Sequence, residues 1–411
     1  MLIVLIKEQV FTRIDYRSRI GTTGNCHFGD KESMSILKQA SIAVLGTAFV
    51  TLGTGEVAKA IITPDESVNA LVDPFDFSGV AALTEAGNFS CSSSLLPGGL
   101  HLLTAAHCLI NQDGEFYPDT VGSMTAIFNL DNEPIFSSDG TILPNTNTMF
   151  EEIAVTDFFV FPDFNTFSLE GDIAILKLAK PAPTSIEQYD IYRGSDEISQ
   201  IFTIVGYGLT GIGSEGFDES LFDGSKRFGQ NQFDAFIDIF QGASQLPEEF
   251  FPKDTTGQLL FDFDNGNPEN DAFGVHFGIP DLGLGFNEVS IAPGDSGGPS
   301  FLLDDEGNKL VAGITSFGFS DVWDTDEDGI INIRLFPDNP ITDVVIEGVA
   351  NASFGEFAGV TRVSTYASFI DDVMGGKVRP TASVPEPSSI LGTIIFGTWG
   401  ANTLRKRKNK Q

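Results

Sequence analysis

Gly294-Asp295-Ser296-Gly297-Gly298-Pro299 sets a serine among residues with almost no side chain, on backbone that can turn sharply and leave its amides exposed. A serine hydroxyl is a weak nucleophile at neutral pH, so the stretch carries chemistry only if a base and an orienting acid lie elsewhere. Leu103-Thr104-Ala105-Ala106-His107-Cys108 supplies a histidine at the end of an apolar strand. Gly171-Asp172-Ile173-Ala174-Ile175-Leu176-Lys177-Leu178 supplies an aspartate opening another. The chain order is His107, Asp172, Ser296.

That order decides between two architectures. Residues 294–298 also satisfy G-x-S-x-G, the nucleophile elbow of α/β-hydrolases, in which the histidine follows the serine. The chain has four histidines, His27, His101, His107 and His276, and every one precedes Ser296. An α/β-hydrolase triad is therefore excluded. Residues 79–83, 99–104, 125–130, 172–178, 201–205 and 310–316 are short apolar runs broken by Gly, Pro, Asn and Asp, a spacing that predicts all-β barrels or sandwiches. One helix is predicted near the end, over residues 364–374, with Ser364 as N-cap and apolar positions three and four apart. Residues 211–229 and 320–354 read as long loops. His101 and His276, each in a strand-like segment, read as structural histidines rather than ligands.

The composition narrows the function. With 411 residues, 41% of them hydrophobic, the chain can bury a substantial core. Its net charge of -34 would repel nucleic-acid phosphates, which excludes that class of partner. Phe is abundant and Tyr and Trp are few, a balance that suits core filling better than base stacking. After Met34, Lys38 precedes an apolar run over residues 40–52, and Ala58-Lys59-Ala60 offers a small-x-small cleavage site. Residues 34–60 therefore read as a secretory signal, with a membrane helix as the alternative. Residues 1–33 read either as an upstream start assigned in error or as an extension. At the other end Val384-Pro385-Glu386-Pro387 leads into an apolar stretch, residues 390–404, closed by Arg405-Lys406-Arg407-Lys408. That order holds the end on the cytoplasmic side and resembles the PEP-CTERM sorting signal of bacterial envelope proteins. The resemblance implies an envelope sorting enzyme as partner, transient membrane association and loss of the span; a permanent anchor is the alternative. Cys26 precedes the signal, so Cys91 and Cys108 remain as one pair, either a disulfide formed in an oxidising compartment or two buried thiols.

Five further stretches carry a resemblance. Cys91-Ser92-Ser93-Ser94-Leu95 followed by the His107 motif, Asp172-Ile173-Ala174-Ile175-Leu176, Gly206-Tyr207-Gly208, Gly313-Ile314-Thr315-Ser316-Phe317-Gly318 and Gly359-Val360-Thr361-Arg362-Val363 stand in the order found in the trypsin and chymotrypsin family of serine endopeptidases. The chain resembles that family over most of residues 61–374, with Tyr207 where the family usually has Trp. The resemblance implies an all-β fold of two packed six-stranded antiparallel barrels, residues 61–190 and 191–378, with a C-terminal helix and a linker and sorting segment over residues 379–411. It implies His107 as base, Asp172 as its orienter, Ser296 as nucleophile, and the amides of Gly294 and Ser296 as the oxyanion hole. Cys91 and Cys108 look like the family's first disulfide. Ser290 would stand at the base of the primary pocket, with Ser316, Phe317 and Gly318 along one wall. A neutral Ser290 implies an uncharged residue before the scissile bond, and Ala292 replaces the cysteine of a pocket disulfide. A freed N-terminus at Ile61, or one cut between Ile62 and Ser78, would pair with Asp295 and order the oxyanion amides. The substrate would be a protein or peptide and no cofactor is required. A catalytically silent binding module of the same fold, displayed on the cell surface, is the alternative.

One acidic stretch adds a metal expectation. Asp324-Thr325-Asp326-Glu327-Asp328-Gly329 resembles a calcium loop, with oxygens at alternate positions in Asp324, Asp326 and Asp328, though Leu335 occupies the place of the closing glutamate. An exposed acidic loop is the alternative. Asp262-Phe263-Asp264-Asn265-Gly266 is a weaker version of the same pattern.

Overall fold

The computed structural model describes residues 61–384, apart from 66, 69, 144–148, 241–250, 323–331 and 336–350; residues 319–322 and 332–335 are described by their backbone. Six strands, β1 (Val80–Glu85), β2 (Asn88–Leu95), β3 (His101–Thr104), β4 (Met124–Asn129), β5 (Phe150–Val160) and β6 (Ala174–Leu178), pair as β5-β4-β1-β2-β3-β6. β6 then returns to β5, which closes a barrel and leaves no edge inside it. Val80, Leu83, Leu103, Ile127, Phe158 and Ile175 of these strands are all at most 1% exposed.

The second half holds β7 (Ile201–Gly206), β8 (Arg227–Gln232), β9 (Gln258–Asp262), β10 (Pro299–Leu303), β11 (Lys309–Val322) and β12 (Phe357–Arg362), in the order β8-β7-β10-β11-β12-β9. Six strands were expected; these six form the main path, and three short strands, Asp190–Ile191, Ala235–Phe236 and Asn332–Leu335, join them, the last within the stretch 320–354 read as a loop. The sheet curls into a half-barrel: among the described residues no ladder joins β8 to β9. The segment leading to Ser290 takes up that gap. Val289 N donates to Gln230 O at 3.0 Å, and Asn231 Nδ2 spans the opening, donating to Asp262 O at 2.7 Å and Val289 O at 2.9 Å. Gly229 is what lets Val289 approach, since a Cβ there would sit 2.1 Å from Val289 Cγ1.

A closed barrel, a half-barrel beside it, few helices and one terminal helix, Ala367–Met374, make a chymotrypsin-like fold. One apolar cluster runs across the seam, joining Leu83 and Leu103 of the first barrel to Val205, Phe301 and Ile314 of the second. The terminal helix buries Ile370 and Val373 in it, and Phe161 meets Tyr366 and Phe369 edge to face at 5.0 and 5.4 Å.

Several segments depart from the sequence expectations. Residues 211–229, read as a loop, hold the hairpin of Thr210–Ile212 with Gly216–Asp218 and the start of β8. His276 lies in a short helix, Ala272–Phe277, capped by Asp271, rather than in a strand. Ile61–Thr63 pairs in parallel with Thr210–Ile212, so the first described strand packs with the second half of the chain. Ala382–Ser383 returns to β5. Among the described residues no helix is long and apolar enough to cross a membrane. The signal over residues 34–60, the sorting segment from Pro385 onward and the calcium loop of Asp324, Asp326 and Asp328 lie outside the described residues.

Candidate active site

Strand register brings the base and its orienter together. Thr104 at the end of β3 pairs with Ala174 at the start of β6, so residues 105–107 and 172–173 leave the barrel at the same end. His107 sits in the one-turn helix Ala106–Cys108, pinned by the disulfide from Cys108 to Cys91 on β2. Asp172 follows a tight turn with positive φ at Leu169 and Gly171. A side chain at Gly171 would meet Phe161 Cδ1 at 2.6 Å, and the Gly171 amide donates to the Tyr366 hydroxyl at 3.0 Å.

Asp172 is fully buried and its carboxylate is held on both oxygens. Oδ2 faces His107 Nδ1 at 2.7 Å and Oδ1 accepts from the His107 amide at 2.9 Å. A third donor is the hydroxyl of Ser316, which also reaches Oδ2. Ser316 points there because β11 bulges against β12: Thr315 pairs with Val360 and Phe317 with Gly359, which leaves Ser316 as the extra residue. The pocket-wall reading gave Ser316 no such contact.

The loop 294–298 is clamped onto the first barrel by Ser92, a residue the sequence reading did not single out. Ser92 N donates to Ser296 O at 2.8 Å, and Ser92 Oγ donates to Gly294 O at 3.0 Å while accepting from Tyr207 N at 3.1 Å. Thr104 Oγ1 in turn donates to Ser92 O at 2.9 Å, three residues before His107. A Cβ on Gly297 would lie 3.1 Å from Ala105 N, so the serine loop rests directly on the segment that carries the histidine.

Within that loop the amides divide into two sets. Asp295 N donates to Ala292 O at 3.0 Å, Gly297 N to Thr315 O at 2.8 Å and Gly298 N to Asp295 O at 2.8 Å. Among the described residues the amides of Gly294 and Ser296 have no acceptor. Gly294 has φ +96°, and a Cβ there would meet Phe89 Cε1 at 2.7 Å and Gly208 Cα at 2.9 Å, so only glycine fits. Ser296 itself is part-exposed.

Asp295 points the other way, into the protein. It is fully buried, with Oδ1 accepting from Gly208 N at 2.9 Å and Oδ2 from Ala292 N at 2.8 Å. Burial pushes its carboxyl up to about 7 against the pull of those two amides and of Arg227. Ile61, also fully buried, donates its N–H to Leu209 O at 3.0 Å, so Ile61 and Asp295 contact neighbouring residues of one segment. Ile62 and Ser290 bridge through both their amides, at 3.0 and 3.1 Å. Phe317 lies against Gly359, where a Cβ would come within 2.3 Å of its ring, and Gly318 pairs with Ala358.

Two groups have metal-ligand composition. Cys91, Cys108 and His107 cluster, but the disulfide removes both thiolates. Asp262, Asp264 and Asp271 also cluster; burial first, then neighbouring carboxylates, pushes Asp262 and Asp264 upward. Burial likewise raises Glu288 beside them to about 7.

No protein-family model and no curated protein sequence matches the chain. Among solved structures it is similar to neuropsin, a serine protease expressed in the limbic system of mouse brain, at 16% identity over 74% of this chain and 98% of that one, with a TM-score of 0.44.

Proposed function

We propose that the protein is an exported serine endopeptidase acting through Ser296, His107 and Asp172. The observation that carries this reading is the pair of unoccupied amides, Gly294 and Ser296, on a loop that Ser92 hydrogen-bonds, while Ser92 in turn accepts from Thr104, three residues before the His107 that pairs with buried Asp172. Two unpaired backbone donors on a part-exposed turn, one of them the serine's own amide, suit an acceptor that arrives with substrate.

In this mechanism His107 takes the Ser296 hydroxyl proton as Oγ bonds to the scissile carbonyl carbon, and the carbonyl oxygen gains negative charge between the two amides. Asp172 accepts from Nδ1, which fixes the ring tautomer and stabilises the imidazolium. The proton then passes to the leaving amine as the peptide C–N bond breaks. Water, deprotonated by His107, hydrolyses the acyl-enzyme. Each oxyanion donor is worth about 3 kcal/mol of transition-state stabilisation.

Three finer parts of the proposal have their own supports. Cleavage after Ala60 would leave an ammonium at Ile61, whose nitrogen already bonds the residue next to an Asp295 partner. The Cys91–Cys108 disulfide suits an oxidising compartment. Ser290 brings no carboxylate to the primary pocket, so an uncharged residue before the scissile bond is preferred. Mass-spectrometric mapping of cuts in a mixed peptide library tests this: cuts after apolar or uncharged residues are expected, and dominant cleavage after Lys or Arg would overturn the preference. Loss of all cutting in Ser296→Ala is expected, and cutting retained by that variant would overturn the assignment of the nucleophile.

A further inference from the structure

We infer that Asp262, Asp264 and Asp271 form a calcium site on the half-barrel, distinct from the catalytic groups. Asp262 ends β9 and Asp264 follows two residues later, a spacing that puts both carboxylates on one side of extended backbone. The chain then turns through Gly266, with φ +79°, and returns at Asp271, the N-cap of Ala272–Phe277. One carboxylate oxygen from each aspartate lies within 4.8 Å of the others.

The second observation is an orphaned atom. Asp264 is 2% exposed, and its Oδ1 has no hydrogen-bond partner. Asp262 and Asp271 are each 3% exposed. Asp262 Oδ2 accepts from Phe273 N and Asp271 Oδ1 from Gly274 N, so backbone donors serve the rim of the cluster and leave Asp264 unserved. Among the described residues no Lys, Arg or His forms an ion pair with any of the three. Buried carboxylates of this kind are ordinarily paired or bound to a metal.

The position suggests what the cation does. Glu288 accepts from the Asp264 amide through Oε1 and from Leu284 N through Oε2, and it stands two residues before Ser290, whose amide and carbonyl hold Ile62. A calcium ion at Asp264 would therefore fasten the loop after β9 to the floor on which the N-terminal strand rests.

Calorimetric titration of the purified full chain with calcium chloride tests the site. The expected result is a saturable heat and a raised thermal midpoint, with affinity weakened more than about tenfold in Asp264→Asn and unchanged in the double variant Asp326→Asn, Asp328→Asn. Asp264→Asn removes charge without removing a side-chain hydrogen bond, and circular dichroism checks that it folds. Should it not fold, europium luminescence lifetimes on the unmutated chain in water and heavy water decide. A buried site gives far fewer bound waters than the free ion. No calcium heat in the folded chain, heat unchanged in Asp264→Asn, heat lost in the Asp326/Asp328 variant, or a fully hydrated europium ion would each overturn the assignment.

Discussion

Ser316 and Gly294 each concentrate the site's chemistry in one small residue. The Ser316 hydroxyl is one of the donors holding the Asp172 carboxylate, and a hydrogen bond to a charged group contributes about 1.5–3 kcal/mol. Ser316→Ala is expected to fold normally and to lose about 10- to 100-fold in kcat/KM. Steady-state kinetics on a cleaved peptide check this, and an unchanged rate would mean that Asp172 is held without it. Gly294→Ala puts a Cβ 2.7 Å from Phe89 at a positive φ. It is expected to cost about 1–3 kcal/mol of stability in urea titration. At this scale the sequence was most legible where two residue types pair directly: His107 with Asp172, and Cys91 with Cys108. Ser92 was illegible because a serine triplet in a strand has no distinguishing spacing; its importance comes from which loop lies across it.

Registers and bulges decide the next level. The pairing of Thr104 with Ala174 aligns the histidine and aspartate motifs, and both strands were readable as apolar runs. β5 was missed because Glu151, Glu152 and Asp157 break up its apolar alternation. The bulge at Ser316 was missed because it exists only in the pairing with β12. The opening between β8 and β9 was missed because it depends on Val289 wedging against Gly229. The disulfide closes a loop with a sequence separation of 17, for which chain entropy gives about 3 kcal/mol. The double variant Cys91→Ser, Cys108→Ser is therefore expected to unfold at lower urea, with a free-energy loss of that order; an unchanged midpoint would contradict it.

Across the whole molecule the charge of -34 comes from an excess of carboxylates, several of which are buried. In a chain where Ile61 is peptide-bonded, Asp295 has its folded pKa raised by burial to about 7, as does Glu356. Between the ordinary carboxylate range and about 7 the native state then binds more protons than the unfolded chain, so stability falls as pH rises, by up to about 1.4 kcal/mol per pH unit for each group. An ammonium at Ile61 would lower the Asp295 value and flatten that fall. Urea midpoints at pH 5 and pH 7.5, compared between the longer chain and one beginning at Ile61, are expected to show the steeper loss in the longer chain, and equal losses would separate Ile61 from Asp295. Ser296 is proposed as an activated nucleophile beside a formed oxyanion site. Labelling the folded chain that begins at Ile61 with a fluorophosphonate, and locating the adduct by mass spectrometry, tests it most directly. One adduct on Ser296, abolished by His107→Ala, is the predicted result. A folded chain that takes no adduct would contradict the account and favour a silent binding module of the same fold.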